Sequence, residues 1–214
     1  MKKYVNLFVF VFMVGACFSQ GKAQTKSAVS YKNPVVDIAM PDPTVIKAAD
    51  GYFYMYATES TRNVPIMKSK DLVQWTYCNT AFTNKTRPRF EPKAGIWAPD
   101  INYINNKYVL YYAMSVWGGE QTCGIGVATA DSPQGPFTDH GKMFRSNEIG
   151  VQNSIDPSFL QYEGRNYLVW GSFRGIYVIE LTEDGLSLKP GAEKKRIAGT
   201  AFEAAYIHKH GYYY

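Results

Sequence analysis

One motif occurs four times along this sequence, and it constrains the fold more than any other feature. Each copy places an acidic residue at a turn, followed by a hydrophobic run, a turn with glycine or asparagine, and a second run rich in aromatic residues. The four acids are Asp42, Asp100, Asp156 and Glu203, which lie 58, 56 and 47 residues apart. This interval is the size of a small antiparallel sheet with its loops, so the repeat predicts an all-β chain built from similar sheets.

Further runs with the length of strands follow the copies, at residues 64–68, 75–77, 124–130 and 175–181. Four short antiparallel strands at this interval indicate a β-propeller, whose radial repetition protects the sheet edges. A β-sandwich also has strands of this length, but it gives no reason for an acid at the same point of each repeat. Because the sequence ends within the second run of the fourth copy, we expect a fragment with about three blades and the first strands of a fourth.

Composition excludes several other classes of protein. With 46% hydrophobic and 15% aromatic residues among 214, the chain can bury one core, which excludes disordered and collagen-like chains. After the amino terminus no stretch of about 12 residues has a 3.6-residue period, so helices should be marginal. Of the net charge of +5, three positive charges come from Lys2, Lys3 and Lys22, and the near-neutral remainder excludes electrostatic binding of nucleic acid.

The amino terminus has the pattern of a secretory signal. Lys2 and Lys3 precede an apolar stretch over residues 5–18, which is shorter than the roughly 20 residues of a membrane-spanning helix. We therefore predict a signal peptide over residues 1–23 and a secreted or periplasmic bacterial protein. Cys17 follows a sequence that resembles a lipoprotein box, so a lipid-anchored outer-membrane protein is the alternative.

The rest of the chain divides into a linker over residues 24–33 and a partial propeller domain over residues 34–214. Cys78 and Cys123 lie in that domain. An even number of cysteines in an oxidising compartment allows a disulfide, but one pair has no diagnostic spacing. We expect two buried free thiols.

The four acids are the candidates for chemistry. The innermost strands of a propeller run in the same direction along the central channel, so their starts meet at one mouth. Asp42, Asp100, Asp156 and Glu203 should therefore share one cleft, although a single Asp-Pro pair is also a common entry to a strand. Carboxylates gathered with aromatic residues point to glycoside hydrolysis, and no metal-ligand spacing, Ser-His arrangement or phosphate-binding glycine loop competes with this reading.

Short motifs around these acids resemble glycoside hydrolase family 43. They are Pro-Asp-Pro at 41–43, Ile-Trp-Ala-Pro-Asp-Ile at 96–101, Asn-Ser-Ile-Asp-Pro at 153–157 and Phe-Glu-Ala at 202–204. Within that family they are most similar to the arabinan-degrading endo-1,5-α-L-arabinanases. The resemblance covers about residues 34–214 and implies a five-bladed β-propeller that hydrolyses α-L-arabinofuranosyl linkages with inversion of configuration.

The resemblance also implies a role for three of the acids. Asp42 is the general base, Glu203 is the general acid, and Asp156 tunes the pKa of the acid and orients it. This division suits an inverting hydrolase, which needs an ionised carboxylate beside the attacking water and a protonated one at the leaving oxygen.

Three residues are expected to contact the substrate: Trp97, Asp100 and Phe173. The flat face of a tryptophan suits the apolar face of a furanose ring. A position for Trp97 between two blades, and a strand-capping position for Asp100, are the structural alternatives. Trp117, in a glycine-bearing loop, is a further candidate for the rim of the cleft.

No cofactor is required for this chemistry and the sequence assigns no metal ligand, but the resemblance implies a structural calcium ion in the channel, held by a histidine from outside this sequence. The implied partner is a plant cell-wall polysaccharide, arabinan or arabinoxylan, with membrane contact only through a lipid on Cys17. The alternative functions are a β-xylosidase or exo-α-L-arabinofuranosidase on the same scaffold, and a non-catalytic glycan-binding propeller.

Overall fold

The computed structural model describes residues 30–211 and residue 213, and the statements below concern that part of the chain. The predicted signal peptide and residues 24–29 of the predicted linker lie outside it. The described residues form twelve strands and one helical turn, α1 (Ser146–Ile149), which agrees with the weak helical periodicity of the sequence. No helix among them is long and apolar enough to cross a membrane.

The strands form three four-stranded antiparallel sheets, each in simple sequence order. The first sheet contains β1 (Thr44–Lys47), β2 (Phe53–Tyr56), β3 (Pro65–Ser69) and β4 (Trp75–Thr80). The second contains β5 (Gly95–Ile104), β6 (Lys107–Ser115), β7 (Gly124–Ala130) and β8 (Thr138–Arg145). The third contains β9 (Ser158–Tyr162), β10 (Arg165–Trp170), β11 (Ile176–Glu180) and β12 (Lys195–Ala198). The repeat in the sequence therefore corresponds to a repeated sheet.

Turn residues fix the first hairpin of the second and third sheets. Asn105 and Asn106 join β5 to β6 with positive φ angles of 48° and 63°, and Glu163 and Gly164 join β9 to β10 with 49° and 73°. Positive φ at both central residues gives a turn whose twist matches that of the flanking strands. These turns set the register, and the register decides which side chains face each neighbouring sheet.

The second sheet packs between the other two, as strand β6 illustrates. β6 is buried on both faces: Leu110 and Tyr112 belong to a core cluster shared with the first sheet, whereas Val109 and Tyr111 belong to one shared with the third. Trp170, a large and fully buried side chain, lies in the second cluster. Successive sheets thus bury apolar and aromatic faces against each other.

A buried ion pair joins the loop after β2 to the segment that leads into β5. Arg87 donates two hydrogen bonds of 2.8 Å to Glu59, which also accepts the backbone N–H groups of Asn63 (2.7 Å) and Ile96 (3.0 Å). Burial favours a raised pKa for Glu59, but the hydrogen bonds from Arg87 and these N–H groups outweigh burial and lower the pKa. The pair is therefore a satisfied charge pair that ties the first sheet to the second.

The fourth copy of the motif does not form strands. The sequence predicts the first strands of a fourth blade here, whereas residues 199–211 contain only isolated bridges, from Glu203 to Ser172 and from His210 to Tyr213. A strand requires a continuous ladder of backbone hydrogen bonds with a neighbour, and a single bridge does not supply one. For the described residues that prediction is wrong.

Cys78 and Cys123 are free thiols, as predicted. Cys123 is buried, and burial raises the pKa of its thiol, which is typical of an inert core cysteine. Cys78 is only partly buried, because it lies on the outer strand β4, so the prediction that both thiols are buried holds for Cys123 alone.

Candidate active site

A cleft of about 940 Å³ lies where the turns before β1 and β9 meet. All four predicted acids line it: Asp42, Asp100, Asp156 and Glu203. The prediction that acids distant in sequence share one cleft is confirmed. They meet because the turns before β1 and β9, strand β5 and the segment after β12 all reach this cleft.

A left-handed backbone conformation accompanies every copy of the motif. Asp42 and Asp156 have positive φ angles of 49° and 57°. The φ angle is also positive at Ala98 (40°), two residues before the second acid, and at Ala204 (48°), directly after Glu203. Such angles cost a residue with a Cβ atom about 1 to 3 kcal/mol, and they cluster at functional sites. Since none of these residues is glycine, this strain was not predictable from the residue types.

Asp42 is held by Thr58, a residue that the sequence analysis did not single out. The Thr58 hydroxyl donates to Asp42 Oδ2 (2.6 Å) and accepts the Ala98 backbone N–H (2.7 Å). The Thr58 backbone N–H in turn donates to the carbonyl of Pro41 (2.9 Å). Because the hydroxyl has one proton and accepts the Ala98 N–H, it donates that proton to Asp42.

Asp156 interacts electrostatically with both Glu203 and Asp42. Burial, followed by the negative charges of Glu203 and Asp42, raises the pKa of Asp156 to about 7, against the opposite effect of a hydrogen bond from the Ala204 backbone N–H. Asp156 and Glu203 are therefore coupled electrostatically. In this structure the pKa that the coupling raises is that of Asp156.

Glu203 is exposed and attached to the third sheet through Ser172. Ser172 forms an antiparallel bridge with Glu203, and its hydroxyl donates to Glu203 Oε2 (3.2 Å). The neighbouring Phe173 N–H donates to the carbonyl of Phe202 (2.9 Å). The loop after β10 thus positions the segment that carries Glu203, and Ser172 is a second contact that the sequence analysis did not assign.

Asp100 lies at the floor of the cleft and joins all three sheets. Its Oδ2 accepts the Phe159 N–H (2.7 Å) and the Asn102 side-chain amide (2.8 Å), and its Oδ1 accepts the Thr44 hydroxyl (3.4 Å). Burial raises the pKa of Asp100 to about 6 in spite of these hydrogen bonds. With both oxygens engaged by protein groups, Asp100 matches the structural alternative, and a sugar contact by this residue stays a prediction.

Two tryptophans form one rim of the cleft. Trp97 is partly buried and packs against Ile155 and Cys123, while its ring lies 5.6 Å from that of Trp117 at an angle of 53°. Trp117 is 94% exposed. Gly95 makes room for this arrangement, since a Cβ atom there would lie 2.5 Å from the Trp97 indole nitrogen. Because the two rings are tilted against each other, each indole offers its own apolar face in the cleft.

A surface ion pair links the loops that carry Trp117 and Phe173. Arg174 donates two hydrogen bonds of 2.9 Å to Glu120, and the Glu120 carbonyl accepts the Asn153 N–H (2.8 Å). Phe173, beside Arg174, is 47% exposed and lines the cleft as predicted. The loops that carry these aromatic residues of the cleft are therefore linked by an ion pair and by a backbone hydrogen bond.

Among the described residues, no group of three or more His, Cys, Asp and Glu side chains could hold a metal ion. Both His208 and His210 are exposed on the segment after β12. The described residues therefore supply no ligand set for the predicted calcium ion, which stays a prediction.

Carboxyl groups and exposed aromatic rings gathered in one cleft of an all-β scaffold define a carbohydrate-active type of protein. The chain belongs to glycosyl hydrolases family 43, whose sequence model matches residues 31–214. This finding confirms the resemblance seen in the short motifs around the acids.

Individual relatives place the chain beside arabinanases. Over 188 residues it is 36% identical to the extracellular endo-α-(1→5)-L-arabinanase 1 of Bacillus subtilis (strain 168), covering 81% of this chain and 57% of that protein. A solved native arabinanase from Bacillus subtilis has a TM-score of 0.70 at 30% identity, covering 81% of this chain and 64% of that one. An exo-1,5-α-L-arabinanase from a bovine ruminal metagenomic library also has a TM-score of 0.70, at 28% identity, covering 85% and 65%. The chain spans just over half the length of the curated relatives that it matches.

Proposed function

We propose that this chain is part of a secreted endo-1,5-α-L-arabinanase that cleaves arabinan with inversion of configuration. The observation that carries the proposal is the group of Asp42, Asp156 and Glu203 in one cleft, with Asp156 coupled electrostatically to both of the others. The names of the relatives supply the substrate, an arabinan. The substrate of the whole protein is part of this proposal, because the chain covers only part of each relative.

The three sheets are, in this proposal, three blades of a five-bladed β-propeller. Two features support it: the sheets follow one another in sequence order, and the second packs face to face with both neighbours. Completion of the ring would require further strands from outside this sequence. The segment after β12 would then gain the strand neighbours that it lacks among the described residues.

In the proposed mechanism Asp42 acts as the general base. Ionised and fixed by the Thr58 hydroxyl, it removes a proton from a water molecule as that water attacks the anomeric carbon. The carboxylate takes up the water proton, and the bond from the anomeric carbon to the leaving oxygen breaks on the opposite face of the sugar.

Glu203 supplies the proton to the leaving oxygen. Asp156 assists because burial and the charges of Glu203 and Asp42 raise its pKa to about 7, so the Asp156–Glu203 pair keeps a proton near neutral pH that can pass to Glu203. Ser172 keeps one oxygen of Glu203 in place, which leaves the other oxygen for the substrate. The leaving arabinan chain departs with the proton, and a second proton from solvent restores Glu203.

Trp97, Trp117 and Phe173 are proposed to bind the sugar rings on either side of the cleavage point. All three line the cleft, and their faces are apolar surfaces of the size of a furanose. An exo-acting arabinanase is the second candidate, since the ruminal exo-enzyme is structurally as similar as the native arabinanase.

Product analysis tests the proposal. The protein is incubated with linear arabinan, with debranched arabinan and with xylan, and the products are separated by size. Arabino-oligosaccharides of several lengths indicate the endo enzyme, and release of arabinose alone indicates the exo enzyme. Binding of arabinan without any release of reducing sugar would favour the non-catalytic glycan-binding propeller instead.

Secretion belongs to the same proposal. The Bacillus subtilis relative is named as extracellular, and the amino terminus of this chain has the pattern of a signal peptide. Mass spectrometry of the protein from its host distinguishes a start near Gln24 from a lipid on Cys17. An intact Met1 in the cytoplasm would contradict both.

A further inference from the structure

A second pocket, of about 400 Å³, opens beside the cleft and carries the opposite charge. The segment over residues 81–94, which leads from β4 to β5, contains four basic residues and one acid. By contrast, the whole chain after the first 23 residues has a net charge of only +2. Positive charge is therefore concentrated on this segment.

Of the four basic groups that line this pocket, one is already neutralised, and the acid that lines it is paired with an arginine from outside the pocket. Glu59 binds Arg87, and Glu91 forms a 2.8 Å ion pair with Arg145 from β8. The three remaining cations are Arg62, Arg89 and Lys93. None of these three forms an ion pair with any residue in the part of the chain that the structure describes.

The geometry of the arginines leaves donors free for a ligand. Arg62 uses its Nε atom to donate to the Asn84 side chain (3.0 Å), and Arg89 uses one Nη2 atom to donate to the Asn84 carbonyl (2.8 Å). These hydrogen bonds go to neutral oxygens, so the positive charge stays available. Guanidinium groups bind carboxylates through two parallel hydrogen bonds, which need the remaining nitrogens.

The wall of the pocket is apolar. Pro88, Pro92 and Met114 line it together with the three cations. An apolar wall beside cationic groups suits a sugar ring that has an apolar face and a carboxylate, rather than a small inorganic anion that has only charge.

The pocket and the cleft share a wall. Thr58 lines the cleft and its neighbour Glu59 holds Arg87 at the pocket, while Met114 lines the pocket and the next residue, Ser115, lines the cleft. One polysaccharide can therefore reach both. The cleft carries acids and aromatic rings, which suit a neutral chain, and the pocket suits an anionic one.

From this juxtaposition we propose that the pocket at Arg62, Arg89 and Lys93 binds the carboxylate of a uronic acid residue. The ligand is an acidic polysaccharide to which the neutral arabinan chain is attached. This inference rests on the proposed function, because arabinan binding in the cleft is what brings an acidic sugar to the pocket. It assigns the protein a preference for arabinan that is still joined to an acidic chain.

Titration calorimetry tests the pocket with two separate probes, hexagalacturonate for the pocket and arabinohexaose for the cleft. The test variant is Arg89→Gln/Lys93→Gln, and the matched control is Lys194→Gln/Lys195→Gln, which removes the same charge from exposed positions at β12. We expect the test variant to bind hexagalacturonate about threefold to tenfold more weakly, and the control to bind it like the parent protein. Binding should also weaken between about 20 and about 200 mM NaCl, since the contact is electrostatic.

The other outcomes are equally informative. Equal weakening of hexagalacturonate binding in both variants would show a general charge effect and overturn the inference. Inorganic phosphate that competes as strongly as hexagalacturonate would also overturn it, because the pocket would then recognise charge alone. Arabinohexaose affinity should be unchanged in the test variant. If the parent protein binds hexagalacturonate but does not bind arabinohexaose, the result contradicts the proposed function and not the proposed binding at the pocket. A thermal unfolding midpoint equal to that of the parent excludes misfolding, and Arg62→Gln supplies an independent second variant.

Discussion

Two hydroxyl groups hold the carboxyls that we propose as base and acid. Thr58 donates to Asp42, and Ser172 donates to Glu203. In each case the hydroxyl comes from the second strand or the following loop of the sheet whose first strand starts at the cleft. At the scale of single residues, the site is therefore a set of carboxyls oriented by neighbours that carry no charge of their own.

Replacement of Thr58 tests this orientation. Thr58→Val removes the proton that is shared with Asp42 and keeps the volume of the side chain. Because a hydrogen bond to a charged group contributes more than a neutral one, we expect kcat on arabinan to fall about tenfold, with a smaller change in KM. Thr58→Ser keeps the hydroxyl and should restore most of the rate. If serine were no better than valine, Thr58 would serve only as a packing residue.

Replacement of Glu203 separates acid catalysis from other causes of lost activity. Glu203→Gln should lower the rate on arabinan by about 10² to 10⁴, because the leaving oxygen there needs a proton. The loss should be far smaller on an aryl arabinofuranoside whose phenolate leaves unaided. Glu193→Gln, on an exposed loop, is the matched control. Equal losses on the two substrates would remove Glu203 from the role of general acid.

The raised pKa of Asp156 predicts a particular dependence of stability on pH. Below about pH 4 the carboxyl is protonated in both folded and unfolded states, and between about pH 4 and pH 7 only the folded state keeps the proton. The free energy of unfolding should therefore fall as pH rises through this window, by about 2 to 4 kcal/mol from Asp156. Urea denaturation of Asp156→Asn should show a shallower decline than the parent protein.

Asp184 provides a control of opposite sign for this measurement. Hydrogen bonds from the Thr182 hydroxyl and the Leu186 N–H lower the pKa of Asp184. Its contribution to stability is present at neutral pH and is lost only as pH falls below the usual range of an aspartate. Asp184→Asn should therefore leave the decline between about pH 4 and pH 7 in place. A decline that is identical in parent and Asp156→Asn would mean that the charge of Asp156 is not coupled to folding.

At the scale of elements, loops as well as strand faces join one sheet to the next. The loop after β2 and the segment before β5 meet in the Glu59–Arg87 pair, in which both side chains are less than 10% exposed. Removal of one partner of a buried ion pair leaves an unpaired charge in a medium that solvates it poorly. These loops also form the wall between the cleft and the basic pocket.

Replacement of one partner should therefore be costly. We expect Arg87→Ala to lower the free energy of unfolding by about 3 to 5 kcal/mol. The exposed pair of Lys107 and Asp131 is the control, and Lys107→Ala should lower it by about 1 kcal/mol or less. Urea denaturation measures both. A loss as small for Arg87→Ala as for Lys107→Ala would show that water reaches the Glu59 carboxyl.

The sheets were predictable from the sequence because their signals are local. Hydrophobic runs and turn residues such as Asn105 and Asn106 recur with each repeat, and the acids mark where each repeat starts. Thr58 and Ser172 were not predictable as part of the site, since a threonine or serine near a strand end is common and its partner lies far away in sequence. The strands predicted for the fourth repeat are absent from the described residues for a related reason. Its pattern is that of a strand, but a strand also needs a neighbouring strand to pair with.

At the scale of the whole molecule, charge is distributed in two zones. The cleft gathers the carboxyls, and the neighbouring pocket gathers cations without carboxylate partners among the described residues. Opposite potentials on one face hold a polysaccharide in a single orientation when its charged and neutral parts differ. Trp97, Trp117 and Phe173 also line the cleft, so in the proposed function binding and cleavage of the polysaccharide share one surface.

Stereochemistry provides the most direct test of how the carboxyls divide the work. Asp42 precedes the first sheet and Glu203 follows the third, and Asp156 lies between them in electrostatic contact with both. This arrangement favours a wide separation of base and acid, of about 6.5 to 9.5 Å, which leaves room for a water molecule, whereas a retaining enzyme needs about 5 to 5.5 Å. We therefore expect the first product to have the inverted anomeric configuration, which proton NMR can detect before mutarotation. Retention of configuration, or transfer of arabinose to added methanol, would mean that Asp42 attacks the sugar directly and that no water is activated.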